Sequence, residues 1–450
     1  MTIRIPLIAT LFCLANVVVF GQQQAARPPR SITLAEALDL ALQNNHRIRE
    51  ARLEVDEKQR ARDVARSGYF PVVHTDSSIV HVTDTQLVEI PTGSLGIVGN
   101  DQIPSRPLII NQGALTTTTF GTGVTQPLTQ LLKVSAANGI ARADVDASTG
   151  KTRAAENAVA LKVHQIYYEI LIGETRRNAL QAKIRASEDL QGERVQQVKY
   201  GSALNADLLE SRAQTLQAKQ DLLTTDLRLS DLRMQFNDVI GVPLTTAVTL
   251  DPNVAAVVQE RCALDACVSL AMESHPEIAE ARAQVEKAAS AVRLAKFDFV
   301  PDVAAFGRYS HQNNVPFLAS NFGTFGVRLS YDLFNGGKKR AILREREAQL
   351  ARAKENLARV SDDVHLRVQT AYDKLQRTRE MIAVSDELVS LRTESRRMTV
   401  EQVSHGSALR SQSLTSVAQE LEAKAGSLQS QLEYSQAAAE LDDAIGRTPK

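Results

Sequence analysis

A few residues have the chemical types that sites use. His74, Asp76, His81 and Asp84 crowd one short stretch, and His311 lies in a second stretch of similar character. Imidazoles and carboxylates together can hold a divalent cation or relay a proton. Their other reading is solvated polar side chains, and no nucleophile, base and orienting group can be assembled from them, so no enzyme is expected. Cys262 and Cys267 could form a disulfide in an oxidising compartment, or serve as two small buried apolar residues. No His or Cys cluster has the spacing of a structural zinc site, and no cofactor is implied. A last group is ionic: Asp207 and Glu210 follow Gly201 closely, and Arg410 follows Gly406.

Long helices must position these residues. Lys338 to His405 runs without Gly or Pro, a rod of about 100 Å at 1.5 Å per residue. Leu343, Leu350, Leu357, Val364 and Ala371 recur every seven residues. A second row, Val368, Leu375, Ile382, Val389 and, after Arg396, Val403, then takes over. Such rows mark a helix packed lengthwise against neighbours, with a stutter where the row changes.

The 450-residue chain carries 52 basic and 52 acidic residues, which gives no case for nucleic acid. Residues 1–21 read as a secretory signal: Arg4, an apolar core from Pro6 to Phe20, and Val19 and Gly21 before a cleavage site. An uncleaved anchor is the alternative. Phe12 before Cys13 argues against a lipid-attachment box. No later stretch offers the roughly 18 apolar residues of a membrane-spanning helix.

The chain is written twice. Residues 34–73 match 264–303 at an offset of 230, and 120–241 match 325–446 at 205. Copy one therefore carries 25 extra residues between 74 and 119. Repeat 1 spans 22–241, a linker 242–263, and repeat 2 spans 264–446. Each repeat opens with helices, 34–68 and 264–297, broken near Asn44-Asn45 and His275-Pro276. Thr33 and Glu36 form a capping box with Ile32 stapled to Ala37. Cys262 and Cys267 take the staple positions in copy two, so a bond between them is sterically plausible.

A hairpin follows, about 72–130 and 302–334. Phe325 to Leu333 alternates Phe, Val, Leu, Tyr, Leu with Gly, Arg, Ser, Asp, the pattern of a strand with one apolar face. The partner strands are expected at 72–84, 120–128 and 302–312, with a long loop over 86–112. Long helices are expected at 133–200 and 338–405, the first less regular because it holds Gly139, Gly150, Gly173 and Gly192. Each ends at a glycine turn before a return helix, 205–240 or 410–445.

Four strands cannot close a barrel, and open strand edges cannot sit in a bilayer. If these strands enter a membrane, several chains must share one barrel, in the membrane that accepts barrels. A soluble scaffold or adaptor rod capped by a small sheet is the alternative.

The duplicated order resembles the TolC-like outer membrane efflux family. The resemblance rests on Leu34-Ala35-Glu36-Ala37-Leu38 with Asn45-His46, and on Leu270-Ala271 with His275-Pro276-Glu277-Ile278. Tyr69-Phe70-Pro71 and the two glycine turns complete it. It implies a mainly α chain with a small membrane β part: duplicated helix–β-hairpin–long helix–turn–helix units forming a trimeric α-barrel plus a shared 12-stranded β-barrel. It implies a homotrimer in outer membrane lipid, extending into the periplasm, for efflux or type I secretion. A periplasmic adaptor (membrane fusion) protein and an inner-membrane transporter are the implied partners. The adaptor-binding tip would be Tyr200, Gly201, Ser202, Ala203 and Leu204 with His405, Gly406, Ser407, Ala408 and Leu409. The gate would involve Asp207, Glu210, Arg410 and Gln412. Val403 and Ala408 stand where the family's latch partners are expected, and Gln412 and Thr415 where its acidic rings are. An Asp207–Arg410 contact is therefore expected to hold the closed tip, with a solvated surface pair as the alternative.

Overall fold

A computed structural model describes residues 31–84, 87–111, 115–252, 262–315 and 319–449. The expected signal segment lies outside the described residues, as does part of the linker. Copy one contains β1 (Ser31–Ile32), α1 (Leu34–Asn44), α2 (His46–Ser67) and β2 (Val72–His81). Four short strands follow: β3 (Leu87–Ile90), β4 (Ile97–Val98), β5 (Asp101–Gln102) and β6 (Leu108–Asn111). Then come β7 (Thr116–Pro127), α3 (Gln130–Lys199), α4 (Asn205–Val239) and β8 (Thr249–Leu250). Copy two contains α5 (Leu264–Ser274), α6 (Pro276–Phe297), β9 (Asp302–Asn313), β10 (Asn321–Ser330), α7 (Lys338–Ser404) and α8 (Arg410–Ile445).

The helix breaks follow from capping. Thr33 Oγ1 accepts from the Glu36 amide at 3.2 Å, and the Glu36 carboxylate accepts from the Thr33 amide at 3.3 Å. Asn45 accepts from the Arg47 amide at 2.9 Å and caps α2, while His275 Nδ1 accepts from the Glu277 amide at 3.2 Å and caps α6. Each break receives the end of its own return helix. Gly241 and Gly446, both at positive φ, lie so close to Asn44 and His275 that a Cβ would come within 2.6 and 2.7 Å of them. Asn45 also donates to the Val239 carbonyl at 3.0 Å.

Each copy has its own apolar core. Ile48, Val163, Tyr167, Phe236 and Ile240 form one, and Cys267, Ile278, Val364, Leu441 and Ile445 the other. Each such fully buried aliphatic or aromatic side chain contributes about 1.5–3 kcal/mol. Cys262 and Cys267 are joined as a disulfide, their Cα atoms 5.5 Å apart, at the N-terminus of α5.

The sheet runs β10-β9-β7-β2, antiparallel throughout, so β7·β9 joins the two copies and β2 and β10 are its open edges. The helices repeat this order. Near the sheet it is α2, α3, α6, α7; near the glycine turns it is α4, α3, α8, α7. Among the described residues, no helix is long and apolar enough to cross a membrane.

Four details depart from the sequence expectations. The last strand ends at Ser330 rather than 333, because beyond the Ser330↔Asp302 pair stands Pro301, which has no N–H to offer. The loop over 86–112 is largely a hairpin arm, with β3 paired to β6 and β4 to β5. Helix α3 stays unbroken through its glycines. Gly139, Gly150 and Gly173 lie against Ser290, the α6 backbone and Leu229, where a Cβ would come within 2.8, 3.1 and 2.7 Å. They are sites of close helix approach, not of irregularity. Finally, β1 and β8 pair in parallel, and the Tyr167 hydroxyl donates to the carbonyls of Ile32 (3.1 Å) and Asp251 (2.8 Å), strapping this pair to α3.

Candidate functional site

The two glycine turns are built alike. Gly201 and Gly406 adopt φ of 73° and 70°, the left-handed conformation. The Ser202 amide reaches the Gln197 carbonyl at 2.8 Å and the Gly201 amide the Val198 carbonyl at 3.0 Å; Ser407 and Gly406 repeat this with Gln402 and Val403 at 2.9 and 3.0 Å. Both serine hydroxyls donate back to the same Gln197 and Gln402 carbonyls. These bonds satisfy the carbonyls that a helix end leaves free. They hold Tyr200, Leu204 and Leu409 out in solvent, 78%, 71% and 52% exposed.

The expected Asp207–Arg410 contact is not the one the chain makes. Asp207 accepts from the Leu204 amide at 3.1 Å, and Gln412 accepts from the Leu409 amide at 3.1 Å. Both side chains therefore cap their own return helices. Arg410 turns instead to Asp189 of α3, at 3.6 Å. Next to it, Glu193 of α3 accepts from the Ser411 amide at 3.0 Å, putting a carboxylate on the N-terminus of α8. Glu210 bonds to Gln214 within α4. The capping role was readable, since both residues stand third in their helices. Asp189 and Glu193 were not, because their partners are more than 200 residues away.

Along the open edges, α4 exposes Leu209, Leu216 and Leu223 at seven-residue spacing, and α7 exposes Val384, Leu391 and Met398 likewise. These are seams of coiled-coil type left uncovered. The sheet is two-faced. Phe325, Val327 and Leu329 on one face of β10 are 91%, 68% and 68% exposed. By register, the opposite face carries His74, Asp76, Arg308 and Arg328.

The chain matches the outer membrane efflux protein family over residues 37–241 and 267–447. It belongs to that family. Among solved structures it is similar to the Campylobacter jejuni CmeC outer membrane channel, with TM-score 0.74, 13% identity, and coverage of 92% of this chain and 85% of that one. It is likewise similar to the open state of the Neisseria gonorrhoeae MtrE outer membrane channel, with TM-score 0.72, 16% identity, and 93% and 89% coverage. The Vibrio cholerae outer membrane protein VceC gives TM-score 0.70 at 15% identity, with 93% and 97% coverage. No curated protein sequence matches the chain. These neighbours share the fold of this efflux-family chain along nearly its whole length, and the first two are outer membrane channels.

The histidines of the efflux-family chain do not gather. His74 and Asp76 share one face of the sheet with Arg308, which binds Asp76 at 2.5 Å. His81 and His311 point to the other face, bonded to Thr116 and Asn321. Among the described residues, no group of three or more His, Cys, Asp or Glu is placed to hold a metal.

Electrostatics at the second helix break yield a pH prediction. Arg367 pairs with Glu277 and holds its carboxyl below the usual range. Asp443 beside them is pushed up to about 6, chiefly by burial, and further by Glu277 and Glu440 against the opposing pull of Arg367. The folded state thus keeps a proton between about pH 4 and 6 that the unfolded chain releases. Stability falls as pH rises through that window, and the penalty is complete above it. Asp443→Asn is expected to stabilise the protein by about 1–2 kcal/mol at pH 8 and to change little at pH 4. Thermal unfolding in detergent at the two pH values checks this; an equal shift at both would assign the effect to packing.

Proposed function

We propose that the chain is the outer membrane duct of an efflux or type I secretion assembly, with three copies closing one tube. The observation that carries this reading is the agreement of the edges. Sheet, upper helices and lower helices share one lateral order, and the two lateral edges are open at every level. A wall with matching open edges is completed by further copies of itself. Three copies of four strands give a barrel of twelve, whose outward face is the exposed Phe325, Val327 and Leu329 row and whose lumen takes the polar face. The glycine turns then form the periplasmic tip, where Tyr200, Leu204, His405 and Leu409 meet an adaptor and, through it, an inner-membrane transporter.

The duplication specifies the register of the missing seam. Across β7·β9, Thr122 faces Tyr309. Their counterparts at the repeat offsets are Val327 of β10 and Ile79 of β2, both on the lipid-facing side. Ile79→Cys with Val327→Cys in one chain should give a disulfide ladder ending at three chains, in protein sedimenting with the outer membrane. A chain recovered in the soluble periplasmic fraction, with no ladder, would return it to the scaffold reading.

A further inference from the structure

The polar face of the sheet holds a feature that the duct reading leaves unused. Arg308 lies flat across Gly121, where a Cβ would come within 2.2 Å of its Nη2. The His74 ring lies across Gly123, where a Cβ would meet its Cε1 at 2.9 Å. These two glycines of β7 form a floor that keeps both side chains low against the sheet. On β10, Arg328 stands 5.3 Å from the centroid of the Phe306 ring, and that ring rests on Gly326. Between them is a cavity of about 240 Å³ lined by His74, Thr125, Phe306, Arg308, Thr324 and Arg328.

The charges do not cancel. Asp76 is held by Arg308 and Asp302 by Lys133. Arg328 has no carboxylate within ion-pair distance among the described residues. Each chain thus contributes one uncompensated guanidinium, with two threonine hydroxyls and a second guanidinium beside it. A planar guanidinium presents paired donors that match carboxylate and phosphate oxygens. A charged cleft with a low-dielectric wall concentrates counter-ions.

We propose that this cavity is an oxyanion site, binding the carboxylate or phosphate group of material that passes along the polar face. Arg328 is the primary contact, and Thr125 and Thr324 are secondary donors. Arg308 keeps Asp76 from neutralising the site. The inference rests on the duct reading, which makes this face a lumen.

The chain contains no tryptophan, so Phe306→Trp places a single emission probe under Arg328. Inorganic phosphate titrated into the purified full-length protein at constant ionic strength should give a saturable change. Its midpoint should be about tenfold weaker after Arg328→Gln and only partly restored by Arg328→Lys, which keeps the charge but loses the paired donors. A non-saturating response, or equal midpoints in all three, overturns the site. Single-channel recording without the tryptophan guards against damage by the probe: phosphate added on the outer side should reduce chloride current, and Arg328→Gln should relieve the block. Conductance without relief overturns the site and leaves the duct. Membrane-inserted protein without any conductance overturns the duct, and the site with it.

Discussion

Leu216→Asp is expected to leave a folded chain that no longer trimerises. Leu216 is 65% exposed on α4 and lies between Leu209 and Leu223, so the single chain loses no core contact. In the proposed tube this row would face α7 of the next chain, where Leu391, 61% exposed, lies at about the same distance from the tip. Burying one leucine contributes about 1.5–3 kcal/mol, and an unpaired carboxylate in the same seam adds a penalty of its own. Closure repeats the seam three times, so the change counts threefold. Native mass measurement in detergent should find a threefold lower mass with unchanged helical content. Leu216→Lys combined with Leu391→Glu should recover part of the assembly. Intact trimers from Leu216→Asp would show that the exposed rows are not the seam.

The second large effect belongs to the tip. Glu193→Gln with Arg410→Ala is expected to raise single-channel conductance, whereas Asp207→Ala alone is not. Glu193 and Asp189 fasten the start of α8 to α3 and so hold the two helical hairpins of one chain together. The Arg410 pair is solvent-exposed and contributes at most about 1 kcal/mol. The Glu193 carboxylate at a helix N-terminus contributes about as much or more. If opening breaks both ties in each of three copies, losing about 1.5 kcal/mol per copy multiplies the open-to-closed ratio on the order of a thousandfold. Among the described residues Asp207 binds the Leu204 amide alone, so its loss should weaken α4 by about 1 kcal/mol without freeing the hairpins. Opening by Asp207→Ala alone would restore Asp207 as the latch.

What could be read from the sequence was what repeats or what local chemistry compels. The offsets placed both hairpins, both rods and both glycine turns, because glycine at positive φ and proline at a helix start leave few alternatives. The face of β10 was legible from alternation alone. The β1·β8 pair escaped because two residues have no period. The α3 glycines read as breaks in the rod because their function lies in the helix facing them, which spacing does not reveal. Position after the matching glycines pairs Arg410 with Asp207. Its partner Asp189 lies on α3, and only the packing of α3 against α8 brings the two together.

The β7·β9 junction also bears on ancestry. It joins the second strand of one unit to the first strand of the next, which is the relation that β10 would have to β2 of a neighbouring chain. The proposed ring therefore contains six seams of one kind, three inside chains and three between them. A primordial chain of one unit would have closed as a hexamer from the same parts. Fusing two units freed alternate seams to diverge, and the tip records it: Glu193 fastens the seam inside the chain, while its counterpart at the 205 offset is Met398. In the proposed ring, alternate seams thus differ in kind: the one inside each chain carries a polar fastening that opening must undo, and the one between chains is apolar at the same level.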